Sequence, residues 1–389
     1  MDAGKFLEVI KDLSKGPLMF TGVPDSLLSP FIDAVVENHG VSYAHGMPGN
    51  HIVAANEGAA VGLAAGHYLA TGCPAVVYMQ NSGLGNAVNP ICSLLHKKVY
   101  SIPVIFVIGW RGEPGVKDEP QHVFQGEITL KMLDLLEIPY VVVSEGMADL
   151  NGTLATFREH LRNGNSVAFV IRKGALTTSV KVEYGLDNVS KPKLSREEAL
   201  KAILTGTGEA KDIFVCTTGK LSREVFEIRE RQGVGHGHDF LTVGSMGHSL
   251  MIALGIAASK PERRVFCLDG DGAVLMHMGS LAVTGACGAE NLVHVMINNG
   301  AHETVGGLPT MCGATKGEHV SFAEVAKTLG YKHTVRVETQ QELAEEMTKI
   351  KELDSPVFIE VMCNLSSRSD LGRPTTRPID NRDEFMKNL

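Results

Sequence analysis

Short, nearly continuous runs of β-branched and aliphatic residues recur along the whole chain, each followed by a stretch of helical character. In the first half the runs cover residues 18–21, 75–80, 104–110, 140–143 and 167–171. In the second half they cover 213–217, 240–243, 265–268, 292–297 and 357–361. Strands apolar on both sides need helices over both faces of their sheet, which is the habit of parallel sheets. Strands alternating with helices therefore predict an α/β fold built on open parallel sheets. With 389 residues, 44% of them hydrophobic, the chain is long for one core, so two domains are expected.

The character changes between residues 177 and 194, where Lys181, Glu183, Asp187, Asn188, Lys191, Pro192 and Lys193 replace apolar residues. This reads as a linker. Ser195-Arg-Glu-Glu198 then has capping-box spacing and opens a new helix. The expected organisation is a domain at 1–176, a linker at 177–194 and a second domain at 195–389. No sequence repeat relates the two halves.

The formal charge is −8, and no basic stripe stands out against it, which argues against nucleic acid as a partner. A polyanionic ligand would have to be held locally, by N–H groups, a metal ion and a few placed cations. The seven cysteines form no C-x-x-C pair and mostly sit in apolar runs, as reduced thiols of a cytoplasmic protein do. The N-terminus is charged throughout and patterned as an amphipathic helix rather than a signal peptide. The nearest approach to a membrane span, residues 52–66, is interrupted by Asn56 and Glu57.

Asp269-Gly270-Asp271-Gly272 follows one strand candidate and Asn298-Asn299 follows the next, with one helix-like stretch between them. In a parallel sheet both strands end at the same carboxyl edge, where α/β proteins bind ligands. One β–α–β unit thus brings Asp271 and Asn299 face to face. A carboxylate, an amide oxygen and a backbone carbonyl are hard ligands suited to Mg²⁺, with phosphate oxygens and water completing an octahedron. Gly270 and Gly272 let the backbone approach a diphosphate, and the following helix offers N–H groups at its positive end. Either segment alone is equally a simple turn; the pairing at this spacing points to a site. A dinucleotide-binding fold is the rival, but Gly83-Leu-Gly85 lacks the third glycine of G-x-G-x-x-G.

Gly-Asp-Gly, a gap of this length and Asn-Asn together resemble the thiamine-diphosphate motif. That resemblance implies Mg²⁺ held by Asp271, Asn299 and the carbonyl of Ala301, with Gly270, Gly272 and Ala273 along the diphosphate. The family needs a carboxylate against N1′ of the cofactor's aminopyrimidine. Ala54-Ala-Asn-Glu57-Gly-Ala-Ala resembles its glutamate segment. Glu57 also lies in a run apolar enough to bury it, although a glutamate in a helix's first turn is stabilised without any catalytic role. Gly244-Ser245-Met246-Gly247 resembles the loop whose bulky apolar residue bends the cofactor; Met246 is otherwise an ordinary core methionine. Thr217-Thr218-Gly219 ends a strand and is expected to donate to the diphosphate, or else to form a simple turn. In this superfamily the site is shared between the pyrimidine-binding domain of one subunit and the diphosphate-binding domain of another. The resemblance therefore implies a homodimer or larger assembly, with no middle domain here.

Gly22-Val-Pro-Asp25-Ser26, the stretch from Met79 to Asn86, that from Trp110 to His122, Asn298-Asn-Gly-Ala-His302-Glu303 and Asp370-Leu-Gly-Arg373 extend the resemblance over nearly the whole chain. They resemble thiamine-dependent decarboxylases acting on pyruvate with an anionic group on C3. The implied reaction converts 3-phosphonopyruvate to phosphonoacetaldehyde and CO2, in phosphonate biosynthesis. A sulfonate on C3 is the alternative, and a carboligase or a non-catalytic diphosphate binder are readings of other classes. Candidates for proton transfer are Asp25, His122 and His302. Asp25 in Pro-Asp-Ser also suits a helix N-cap, and a lone histidine is commonly structural. Pyruvate decarboxylases carry a glutamate where this chain has Val305, with Glu303 nearby instead, which argues against plain pyruvate. At least one of Arg111, Lys117, Arg368 and Arg373 is expected to contact the substrate anion, with the C-terminal segment closing over the site; each is otherwise a solvated surface cation.

Overall fold

A computed structural model describes residues 1–41, 50–147, 150–180, 182, 194–206, 211–314, 320–353 and 356–389. The chain divides into two compact units, Met1–Tyr184 and Gly185–Leu389. The first contains β1 (Phe20–Gly22), β2 (His51–Val53), β3 (Val76–Gln80), β4 (Ile105–Gly109), β5 (Tyr140–Val143) and β6 (Val167–Ile171). They form one parallel sheet in the order β2-β1-β3-β4-β6-β5. Its helices are α1 (Ala3–Ser14), α2 (Ser29–His39), α3 (Glu57–Thr71), α4 (Leu84–Pro90), α5 (Pro120–Leu135) and α6 (Asn151–Arg162).

The second unit contains β7 (Ile213–Cys216), β8 (Asp239–Leu241), β9 (Val265–Gly270), β10 (Leu292–Asn298), the short hairpin β11 (Ala301–His302) and β12 (Leu308–Pro309), then β13 (His333–Val337) and β14 (Val357–Met362). Its main sheet, also parallel, runs β13-β14-β10-β9-β7-β8. Its helices are α7 (Arg196–Gly206), α8 (Lys220–Gln232), α9 (Ser249–Ser259), α10 (Asp271–Met276), α11 (Gly279–Cys287), α12 (Met311–Ala314), α13 (Phe322–Thr328), α14 (Gln340–Lys349) and α15 (Pro378–Asn388). The α/β class and the two parallel sheets expected from the sequence are those of the protein.

Burial explains which strands were legible. Every residue of β4, β6 and β10 is buried, so β4 and β6 are unbroken apolar runs and β10 is one interrupted only by His294 before it ends at Asn298. Two sheet strands, β2 and β13, were not anticipated. Both lie at sheet edges, β2 is only three residues long, and β13 is half-buried over most of its length, with His333 and Arg336 interrupting its apolar residues. An edge strand carries a weaker hydrophobic signal because part of it stays solvated.

Thr177 pairs with the chain's start, its N–H donating to the Met1 carbonyl and its own carbonyl accepting from Ala3. Leu194 is buried in the second core, and its carbonyl accepts from Asn364. The linker residues between them that motivated the sequence reading, Lys181, Glu183, Asp187, Asn188, Lys191, Pro192 and Lys193, lie outside the described residues. The capping box is present: Ser195 Oγ and N–H both donate to Glu198 Oε2, at 2.7 and 2.9 Å, and the Glu198 N–H donates to Ser195 Oγ at 3.2 Å. All seven cysteines are free thiols: four are buried, Cys73 is half-buried, and Cys92 and Cys287 are exposed. Among the described residues no helix is long and apolar enough to cross a membrane.

Candidate active site

In the second unit β9 and β10 are hydrogen-bonded neighbours, with Ile297 opposite Gly270. Asp271, the first residue of α10, and Asn299, one step past β10, consequently stand at the same carboxyl edge, as the motif spacing implied. Asp271 is 3% exposed. Burial pushes its carboxyl up to about 7, against the hydrogen bonds of Thr310 and of backbone N–H groups, and the Glu360 carboxylate adds to the rise. The Thr310 hydroxyl donates to Asp271 Oδ2 at 2.6 Å. Hydroxyl and amide donors do not neutralise a buried carboxylate, and a second acid nearby makes matters worse. The donor set thus fits a divalent cation, which would supply the missing charge.

Asn298 and Asn299 divide their labour. Asn298 Nδ2 donates to the buried Glu360 at 2.9 Å, and its Oδ1 accepts from Gly300, so it fixes the turn to the sheet. Asn299 Nδ2 donates to Glu303 at 3.0 Å, while its Oδ1 accepts the Ala301 N–H at 3.2 Å. In the hairpin the carbonyls of Gly300 and His302 accept from Thr310 and Gly307. Backbone alternation turns the Ala301 carbonyl to the other side, away from β12.

The remaining residues expected at the site in the second unit cluster around the same edge. A Cβ on Gly272 would lie 3.0 Å from the His302 ring and 3.2 Å from the Met246 methyl, so these two side chains pack over the glycine. Burial lowers the His302 imidazole to about 4, leaving it neutral at pH 7. Ser245 holds φ 51 without being glycine, a strained conformation that places Met246 at the head of the loop before α9. Thr217, directly after β7, has a buried hydroxyl with no hydrogen-bond partner among the described residues. Thr218 and Gly219 follow it into the N-terminus of α8, with Gly219 at φ 98. An unpaired buried hydroxyl at a helix start is a ready donor for an anion. Gly270 and Ala273 flank Asp271 as expected.

In the first unit Glu57 is the first residue of α3, behind an Asn56 cap whose side chain accepts from Ala59. It is 5% exposed. Asn86 Nδ2 donates to Glu57 Oε2 at 2.8 Å, and Gly83 presses so closely on the carboxyl that a Cβ there would sit 2.5 Å from Oε1. Helix position and burial, the two explanations weighed for Glu57, therefore both hold.

Asp25, Arg111 and His122 gather at the carboxyl edge of the first sheet. Asp25 is fully buried and its carboxyl is raised by that burial, against hydrogen bonds from Gln80 (2.7 Å) and the Leu27 N–H (3.1 Å). It does not cap α2, whose N-cap is Leu28. Arg111 is locked by Asp118, through Nε to Oδ2 at 2.8 Å and Nη2 to Oδ1 at 2.5 Å, with Nη1 toward Ser26. Burial opposes ionisation of Asp118, but the Arg111 guanidinium and the Gly112 N–H hold it down to about 2. Burial, with Arg111 nearby, lowers His122 to about 4, and its Nδ1 has no hydrogen-bond partner among the described residues.

The other proposed anion contacts are less enclosed than Arg111. Lys117 is exposed. Arg373 is exposed on the C-terminal segment. Arg368 is engaged by three carboxylates, Glu197, Glu227 and Asp370. These contacts, with Lys220 Nζ donating to Ser367 at 2.6 Å, pin the C-terminal segment onto α7 and α8. Sequence reasoning missed Asn86, Asp118, Thr310 and the group formed by Arg196, Lys220 and Glu224 around Glu303. Only Lys220, directly after Thr217-Thr218-Gly219, carried a local signal.

Two family models match the chain. Residues 14–135 match the N-terminal, and residues 217–361 the C-terminal, TPP binding domain of thiamine pyrophosphate enzymes. Both units thus carry domains of that enzyme class. Over 94% of its length the chain is 32% identical to the phosphonopyruvate decarboxylase of Streptomyces viridochromogenes, covering 89% of it. The enzyme of that name from Streptomyces hygroscopicus is also 32% identical, with 93% and 88% covered. A sulfopyruvate decarboxylase subunit beta from Methanothermobacter thermautotrophicus is 33% identical over 43% of this chain and 81% of that subunit. The chain belongs to the phosphonopyruvate decarboxylase family.

Proposed function

We propose that this protein decarboxylates 3-phosphonopyruvate to phosphonoacetaldehyde and CO2, using thiamine diphosphate and Mg²⁺. The observation that carries this reading is the near end-to-end similarity to two phosphonopyruvate decarboxylases. Thiamine diphosphate, when bound, supplies the nucleophilic carbon and electron sink that loss of CO2 from a 2-oxo acid requires. Asp271, Asn299 and the Ala301 carbonyl would hold the metal; the Thr217 hydroxyl, Thr218 and Gly219, with Ser245 and the backbone from Gly270 to Ala273, would meet the diphosphate. Met246 would pack against the cofactor. Glu57 would hold a proton at the aminopyrimidine N1′, kept in place by Asn86 and shielded from water by its burial.

Asp25, His122 and His302 are the candidates to handle the substrate's proton. His122 and His302 are neutral at pH 7 and so suited to accept one; Asp25, raised by burial, is suited to keep one. Arg111 is the best-placed cation for the phosphonate, because Asp118 holds its fork rigid beside Asp25 and His122. Lys117, Arg368 and Arg373 remain secondary candidates. Sulfopyruvate decarboxylase subunits alpha and beta are each similar to less than half of this chain. That supports a homodimer or larger assembly in which Glu57 of one copy serves the metal residues of another. We place the protein in the cytoplasm, and its domain boundaries near residues 176 and 195. The test is CO2 release from phosphonopyruvate and sulfopyruvate in parallel, by protein reconstituted with thiamine diphosphate and Mg²⁺. A higher kcat/KM for phosphonopyruvate is expected; preference for sulfopyruvate would move the chain to the sulfonate reading.

A further inference from the structure

An asparagine offers a metal its oxygen only if the amide is turned the right way, since the NH2 end is a donor. In this chain two neighbours set the orientation of Asn299: the Ala301 N–H donates to one lone pair of its Oδ1 at 3.2 Å, and Glu303 holds its NH2 end. Asn299 Nδ2 donates to Glu303 Oε2 at 3.0 Å. An ionised carboxylate can only accept, so a flipped amide would set oxygen against oxygen. Glu303 is itself unable to swing away. Arg196 donates to the same Oε2, and the Lys220 ammonium lies 3.5 Å from Oε1. Arg196 is gripped in turn by Glu224, through Nε at 2.6 Å and Nη2 at 2.7 Å, and is 7% exposed. A relay of charged groups therefore runs from α7 and α8 to the loop after β10.

We propose that Glu303 is the positioning residue of the metal site: it fixes the Asn299 amide with its oxygen available to the cation, and Arg196 fixes Glu303. This rests on the reading of Asn299 as a metal ligand. It also explains why an amide, rather than a more strongly ligating carboxylate, stands at this position. A carboxylate there would face Glu303 at hydrogen-bond distance, and two like charges that close repel. The competing role for Glu303 is a strut that merely ties α7 to the loop.

The test is Mn²⁺ affinity by electron paramagnetic resonance titration of the full-length protein with thiamine diphosphate present. Glu303→Gln is isosteric but can present its own NH2, letting the Asn299 amide flip; affinity should fall about tenfold or more, as lost outer-shell partners usually cause. Asn299→Asp should also weaken Mn²⁺, despite adding a charge to the site. The double variant Asn299→Asp/Glu303→Gln restores a donor–acceptor pair with the roles exchanged, and should recover affinity to within about threefold. A strut would give the double variant the same loss as Glu303→Gln. Wild-type affinity in Glu303→Gln, tighter binding in Asn299→Asp, or no recovery in the double variant would each overturn the proposal. Should Glu303→Gln fail to fold, Asn299→Asp decides alone. Asn299→Ala separates the two levels: unchanged affinity there refutes the metal site itself, whereas a loss there with none in Glu303→Gln refutes only the positioning role.

Discussion

Gly83→Ala is a one-methyl test of the Glu57 assignment. The added Cβ would fall 2.5 Å from Glu57 Oε1 and 2.6 Å from its Cδ. Ordinary contact begins near about 3.4 Å, so carboxyl and loop must separate by about 0.9 Å. Asn86, whose 2.8 Å hydrogen bond holds Glu57, lies in α4, which starts directly after Gly83, so that bond would lengthen with the shift. Overpacking of this kind costs about 1–3 kcal/mol of stability. A displacement of about 1 Å at a catalytic group costs on the order of a hundredfold in rate. Turnover should therefore fall far more than stability does, with thiamine diphosphate affinity largely kept. Gly85→Ala is the control: its Cβ meets nothing within 4 Å, and it sits in α4, where alanine stabilises by about 0.5–1 kcal/mol. The assay is single-turnover CO2 release at saturating cofactor, paired with thermal unfolding. Gly83→Ala with wild-type turnover and a shifted melting temperature would show that the carboxylate's position does not matter to the chemistry.

Asp271→Ala should abolish detectable thiamine diphosphate and Mg²⁺ binding in titration calorimetry, since it removes the one charged protein ligand. Glu57→Gln should bind cofactor nearly as well as wild type yet lose most turnover, because an amide cannot replace the charge-assisted contact at N1′. Arg111→Met should raise KM for phosphonopyruvate with cofactor affinity unchanged; if Arg111→Met, Lys117→Met, Arg368→Met and Arg373→Met all keep wild-type kinetics, the anion pocket lies elsewhere. Burial holds His51 near pH 4, well below the ordinary histidine value, with its ring nitrogens bonded to Tyr78 and Gly40. Its depressed folded value means the unfolded chain takes up the proton first, so stability present above about pH 6.5 drains away as pH falls toward 4. The loss by pH 5 is about 2 kcal/mol, and thermal unfolding of His51→Gln should show a correspondingly shallower decline between pH 7.5 and 5.

The legible parts of this protein were those set by strong local constraints. A strand buried on both faces is mostly apolar, so β4, β6, β9 and β10 stand out despite Asp269 and His294, and the turns after β9 and β10 lead directly to Asp271 and Asn299. Glu57 was visible because a carboxylate in a run of alanines and glycines contradicts its surroundings. What stayed hidden depends on long-range pairing. Asn86 meets Glu57 across 29 positions, and Arg196 meets Glu303 across 107. No periodicity marks such pairs, because burial converts ordinary surface residue types into partners only once the sheet has formed. Arg368 illustrates the converse: its sequence setting suggested an anion pocket, yet three carboxylates that converge on it in the fold already occupy its guanidinium.

The account stands most directly on one reaction. Protein dialysed free of cofactor, then supplied with thiamine diphosphate and Mg²⁺, should convert phosphonopyruvate to phosphonoacetaldehyde with one CO2 released per product formed, as followed by ³¹P nuclear magnetic resonance and CO2 trapping, and should do nothing without the cofactor. Persistence of the phosphonopyruvate resonance in the fully reconstituted protein, or its loss at the same rate without thiamine diphosphate, would contradict the account.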